Sequence, residues 1–334
     1  MTRKRLLVGW SVGLFAVAVV AGWSLVSSHN EDVPVTAVRE YVEAIARGDA
    51  TRANGLVDPG TGDRTALLTD EVLSSARQRL VVGDVRTTSP QPWGEVVEVE
   101  VDWRLSEPGF SSTRLRVQRT GAEFGVLDTW RVLDPLLASV VVETNEPRTS
   151  TARIGPATVP VGAPGHLRAV PAYPAVYEVR GIGSRYLAAE PTEVSARPDQ
   201  PSRGQEFSRG RLEYTTTEAL RAELDTRISE HLATCLSAAD VGADCPHFVR
   251  NAASAGTRPV VLRPPALDDE QDHVGLIGDS LLDRPSPVPA VEFQAVGGPA
   301  TYAYYEEQRQ VTARVTGIAF IGANDALTVT FGHR

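Results

Sequence analysis

The chain has 334 residues, 42 acidic against 33 basic, and a formal net charge of -9. That length is more than one core usually fills, and 42% hydrophobic with 22% charged residues excludes a globally disordered polymer. An acidic balance without a basic stripe excludes nucleic acid as the expected partner. Lys4 is the only lysine and Met1 the only methionine, an arginine-rich bias that fits high-GC codon usage, as in actinobacteria.

Residues 1–30 read as a cytoplasmic stub and a signal-anchor. Arg3, Lys4 and Arg5 precede an uncharged run from Leu6 to Val26, long enough as a helix to span about 30 Å of hydrocarbon. Glu31 and Asp32 follow, so the positive-inside rule predicts a cytoplasmic N-terminus with everything later outside the cell membrane. Trp10 and Trp23 fall near the two interfaces. A cleaved signal peptide, cut near Val26-Ser27-Ser28, is the alternative. The run exceeds a usual h-region and no Cys follows that could carry a lipid, which favours an uncleaved anchor in the lipid bilayer.

Residues 34–135 predict a first α+β domain. Val38, Tyr41, Val42 and Ile45 form one helical stripe, with Asp32 as its cap and Gly48 as its end. Asp49 caps a second helix with Ala50, Ala53 and Leu56; Val72, Leu73, Ala76 and Leu80 outline a third. The period then falls to two: Glu95 to Trp103 alternates apolar with acidic residues, and Leu115–Gln118 and Trp130–Leu133 read as further strands. The opening Val38 to Ala50, closed by Trp130-Arg131-Val132, resembles the nuclear-transport-factor-two-like domains of bacterial envelope proteins. The resemblance implies a cone that is a ligand pocket in some relatives and a scaffold in others.

Residues 136–196 predict a small all-β module. Val140-Val141-Val142 is one strand, Ile154 to Val159 a hairpin around Gly155-Pro156, and Tyr177 to Arg180 a strand after the Pro171 and Pro174 turns. Pro174 to Val179 resembles the PEGA-type β modules of surface proteins, with Ala175 where that motif has glycine. Residues 197–211, rich in Pro, Arg, Ser and Gln, read as an exposed linker.

Residues 212–334 predict a second α+β domain. Thr215-x-x-Glu218 reads as a capping box ahead of Leu220, Leu224, Ile228, Leu232 and Leu236, a long amphipathic helix. Segments at Val260–Leu262, Ala290–Phe293, Thr301–Tyr305, Val311–Val315 and Leu327–Thr330 are strand-like. Cys235 and Cys245 are the only cysteines, and Gly242 between them lets the chain turn back, so a local disulfide is expected in an oxidising compartment. Their spacing is not that of a zinc knuckle, although His231 and His247 are near in sequence; His231 lies off the leucine stripe and reads as exposed. The expected fold class is therefore α+β: an N-terminal transmembrane helix, then two small α+β domains flanking a small all-β module. The layout is similar to the teicoplanin-associated membrane proteins, without their zinc ribbon.

Chemistry-bearing motifs are sparse. Gly278-Asp279-Ser280-Leu281 resembles the nucleophile block of GDSL-type esterases and Gly322-Ala323-Asn324-Asp325 their Gly-x-Asn-Asp block, which makes a serine hydrolase using Ser280 the alternative function. The context that chemistry needs is missing: a proline-rich segment follows Ser280, and no Asp-x-x-His follows the second block. The acidic run Asp268 to His273 lacks the spacing of a calcium loop, and the six histidines lack metal-binding spacing. Tyr302, Tyr304, Tyr305, Trp93 and Trp103 fit sheet faces better than a ligand groove. With no phosphate loop or dinucleotide fingerprint, no catalytic residue, metal or cofactor is expected. The expectation is an envelope scaffold or sensor that binds a protein, a wall polymer or a small ligand.

Overall fold

The structure is a computed structural model; it describes residues 33–57, 66–88, 95–105, 109–123, 127–146, 150–162, 168–198, 207–267, 273–277, 288–305 and 307–332. No helix among these is long and apolar enough to cross a membrane. The predicted anchor, Leu6 to Val26, lies outside the described residues, as does its neighbour Asp32. The described chain is mixed α+β, mostly sheet with few helices.

The first unit opens with α1 (33–47), whose stripe of Val38, Tyr41, Val42 and Ile45 is fully buried. The Asp49 carboxylate accepts from the Arg52 amide at 2.8 Å and starts α2 (Ala50–Leu56). Thr69 caps α3 (Asp70–Ser74), which is shorter than its apolar spacing predicts. The helix stops at Ser75, and Gln78–Arg79, β1, are drawn instead into pairing with the second unit. Strands β2 (Val81–Thr87), β3 (Val96–Arg104), β4 (Ser111–Glu123) and β5 (Leu127–Val132) form one antiparallel sheet in that order. Along β3 the alternation sends Val97, Val99, Val101 and Trp103 into the core and Glu98, Glu100 and Asp102 outward. Arg86 pairs with Glu100 and Asp102 across that outer face, and Arg116 with Asp134. The Arg86 guanidinium holds the Asp102 carboxyl below its ordinary value, and Arg116 does the same to Asp134.

The second unit is all-β: β6 (Ala138–Thr144), β7 (Thr151–Ile154), β8 (Ala157–Gly162), β9 (Val170–Ala172), β10 (Ala175–Gly181), β11 (Leu187–Ala189), β12 (Thr192–Ala196), β13 (Ser208–Leu212) and β14 (Tyr214–Thr216). Its main path is β1-β10-β7-β8-β6-β13, with β12 on β10 and β9 on β6. The sheet curls until β12 and β13 lie side by side, tied where the Arg197 amide donates to Ser208 Oγ at 3.1 Å. Gly155, at φ +54, makes the tight turn between β7 and β8. Residues 208–211, expected as linker, and Leu212, expected to open the third domain, are a strand running parallel to β6. No β-branched residue marks it; the burial of Gly210 and Leu212 against the curled sheet decides its conformation.

The third unit comprises α4 (Glu218–Ser237), α5 (His247–Ser254), β15 (Val260–Val261), β16 (His273–Ile277), β17 (Ala290–Tyr304), β18 (Glu307–Ile321), a 3-10 turn at Ala323–Asp325 and β19 (Leu327–Phe331). The sheet order is β15-β17-β18-β19, with β16 on the other half of the β17 edge. The cap of α4 is Thr217, not Thr215, because residues 214–216 pair with β11 and stay extended up to the cap. Leu220, Leu224, Ile228 and Leu232 are buried as their spacing predicts.

One hydrophobic core runs through all three units, from Tyr41 and Val101 through Tyr173, Tyr177 and Leu212 to Leu220, Ile228 and Phe293. The first junction is polar at its centre: Tyr41 accepts from the Leu136 amide at 2.8 Å, Tyr173 donates to Asn54 at 2.6 Å, and Tyr177 donates to the Tyr173 carbonyl at 2.8 Å. Arg77 adds an ion pair to Glu178 across it. The second junction is lighter. Thr217 donates its hydroxyl to the Arg185 carbonyl at 2.7 Å, and Asp325 accepts from the Arg185 amide at 3.2 Å.

Candidate functional site

The far end of the third unit has its own small core of Leu232, Cys235, Cys245, Phe248, Val249, Ala300 and Ala313. Cys235 lies on the buried stripe of α4, and the chain turns back through 238–246, where the Cys245 amide bonds to the Gly242 carbonyl. Cys235 and Cys245 are thereby brought to disulfide distance, with their Cα atoms 5.7 Å apart.

His231 precedes Cys235 by one helical turn, so both reach the same end of the unit. Its ring is not simply exposed, as its place off the leucine stripe implies. It stacks on Phe331 with centroids 3.9 Å apart and planes 3° from parallel, and Phe331 meets Phe293 edge-on. Nε2 of His231 is 3.1 Å from the Asp244 carbonyl, a contact that requires the proton on that nitrogen, and 3.6 Å from Cys235 Sγ. His231, Cys235 and Cys245 thus place their ligand atoms within 4.8 Å of one another. Joined as a disulfide the two sulfurs supply no thiolate, so the cluster as it stands is not a metal centre.

Beside this cluster a cleft of about 400 Å³ opens between the loop leading into α5 and the edge of β18 beyond the end of β19. Arg250 and His247 reach its rim from α5, Arg314 and Thr316 from β18, and Gln294 from β17. His247, Arg250 and Arg314 are exposed. Asp244 is the acidic residue of the lining, and its Oδ1 is folded back over Gly242, 2.5 Å from where a Cβ would stand there. Gly332 forms the floor with φ +87; a Cβ on it would stand 3.3 Å from Asp244 Cα.

Several arginines elsewhere are committed. Arg52, Arg77, Arg86, Arg116, Arg180, Arg209 and Arg227 each pair with a carboxylate. Neither Arg250 nor Arg314 has an ion pair with a described residue. Nothing in the local sequence marks them: each is one arginine on an exposed face, and only the packing of α5 against β18 brings both to one cavity.

The other sequence-singled residues are dispersed. Gly322 to Asp325 line a second cavity of about 450 Å³ with Ile182, Tyr214 and Pro289, where the Asp325 carboxylate is engaged by the Arg185 amide. Ser280, the acidic run 268–272, Trp93, His29, His166 and His333 lie outside the described residues. Trp103 is buried in the first unit with its indole N–H on Thr113, whereas Tyr302 is buried in the third and Tyr305 is exposed at the β17–β18 turn. Among the described residues, Trp103 and Tyr302 thus lie in different units. No protein-family model matches the chain, and no curated protein and no solved structure matches it.

Proposed function

We propose that the chain is a single-pass, membrane-anchored protein of a bacterial envelope whose described units work outside the cytoplasm as a non-enzymatic binding or scaffold module. The observation that carries this reading is the charge-asymmetric apolar run from Leu6 to Val26 with Arg3, Lys4 and Arg5 ahead of it. The cysteine pair at disulfide distance supports it, because such pairs persist in oxidising compartments. In the same reading the outer units belong with the nuclear-transport-factor-two-like domains, and the middle unit with the PEGA-type β modules. Helices followed by an antiparallel sheet in both outer units support that assignment.

Fractionation of intact cells followed by protease shaving tests the topology: the full chain should sediment with the membrane, and a C-terminal tag should be lost to external protease. A tag protected in intact cells and digested only after lysis overturns the reading. Treatment of the purified full chain with a fluorophosphonate should give no Ser280-dependent labelling. Labelling abolished by Ser280→Ala would make the chain a hydrolase instead.

A further inference from the structure

We propose that the cleft between α5 and β18 is a binding site for a phosphoester group, held between the guanidinium groups of Arg250 and Arg314. The proposal rests on the reading of the chain as a binding module and names the chemistry that module recognises. Three observations converge on it.

The first is charge. In a chain of net charge -9, two arginines on different elements and one histidine line a single cavity. Neither arginine has an ion pair with a described residue, whereas Arg77, Arg86, Arg116 and Arg209 each do. The nearby carboxylate of Asp244 is turned onto its own loop over Gly242. Two guanidinium groups lining one cavity give it a local positive charge that favours an anion.

The second is donor number. A carboxylate has two oxygens, and one arginine fork satisfies both. Two forks, with Gln294 and His247 as further donors on the same rim, suit a group with more than two acceptor oxygens, which is what phosphate offers.

The third is volume. About 400 Å³ lies in the range of small-molecule sites. A bare ion leaves much of it empty, so the fitting ligand carries a glycerol- or sugar-sized group on the phosphate. Phe331, Val315 and Pro246 in the lining supply apolar surface for that group.

The test is isothermal titration calorimetry on the full chain in neutral, phosphate-free detergent, with inorganic phosphate, glycerol 3-phosphate, acetate and inorganic polyphosphate as probes. Glycerol 3-phosphate should bind saturably and more tightly than inorganic phosphate, acetate more weakly than either, and added salt should weaken all of them. Polyphosphate tighter than glycerol 3-phosphate identifies a polymer as the source of the group; equal or weaker binding identifies a small phosphoester. Arg250→Gln with Arg314→Gln should lose at least ten-fold in affinity. Arg153→Gln with Arg309→Gln, which removes the same charge elsewhere, should lose less than two-fold. The Lys versions of the cleft pair keep the charge without the fork and should fall between. No saturable binding of any phosphate probe, or equal losses from the cleft and control pairs, overturns the proposal. Either failure leaves the membrane topology untouched, since protease shaving reads that independently.

Discussion

The junction between the first two units and the far end of the third solve the same problem with opposite means. At the junction the volume comes from Tyr41, Tyr173 and Tyr177, all fully buried and each with its hydroxyl partnered. At the far end the small core sets Ala300 and Ala313 beside Leu232 and Phe248, and a covalent link joins two of its members. Aromatic bulk locks two units by area and by polar geometry together, whereas the disulfide end leaves room for a cleft. A rigid interior and an open rim are therefore separate regions of one molecule.

The largest expected loss follows truncation at the junction. Tyr177→Ala removes a fully buried ring and its hydrogen bond to the Tyr173 carbonyl, and should destabilise the chain by about 3–5 kcal/mol. Denaturant unfolding of the purified chain would show a loss of about a fifth or more of the stability of a typical domain. A loss below about 1 kcal/mol would mean that the tyrosines fill space without locking it.

Next in size is the covalent link. Cys235→Ala with Cys245→Ala, or reduction in the native state, should cost about 2–3 kcal/mol for so short a loop. The loss should fall at the far end: amide exchange should quicken at Phe248 and Val249 and stay unchanged at Tyr173 and Tyr177. Uniform loss of protection would show that the two regions are not separate. Two thiols alkylated without prior reduction would remove the link altogether.

A smaller effect isolates the polar part of the junction. Tyr173→Phe leaves the ring and deletes the bond to Asn54, for an expected loss of about 1–2 kcal/mol. The same change has a pH signature. Burial pushes the hydroxyls of Tyr41, Tyr173 and Tyr177 well above the ordinary tyrosine value. With the folded value raised, stability is fully present below about pH 10 and is lost as pH rises, because the unfolded chain ionises there first. Tyr173→Phe should blunt that alkaline loss relative to the parent chain, read as melting temperature between about pH 9 and 11.

What the sequence made legible was whatever is encoded locally. The stripe Val38, Tyr41, Val42, Ile45 and the cap Asp49 predicted α1 and α2; the alternation through Trp103 predicted β3; Gly155-Pro156 predicted the β7–β8 turn. What failed depends on distant partners. Ser208–Arg211 looks like linker because its strand character comes from β6, some seventy residues earlier. Thr215 was passed over as a cap in favour of Thr217 because β11 holds residues 214–216 extended. The cleft was the least legible feature, since Arg250 and Arg314 share no motif, and His231 meets its stacking partner only at the end of the last strand.

The smallest predicted effect concerns the lighter junction between the second and third units. Asp325 sits at φ +58, a conformation Asp and Asn tolerate better than most residues, and its carboxylate accepts from the Arg185 amide at 3.2 Å. Asp325→Ala removes the acceptor and puts a less tolerant residue in a left-handed backbone. Solvent reaches the amide it frees, so the loss should stay at about 1 kcal/mol or less. Asp325→Asn keeps both an acceptor and the backbone preference and should recover most of it. If instead Asp325→Ala matches Tyr177→Ala in cost, the second junction is as tightly locked as the first. The third unit, cleft included, would then be held to the second as firmly as the second is to the first.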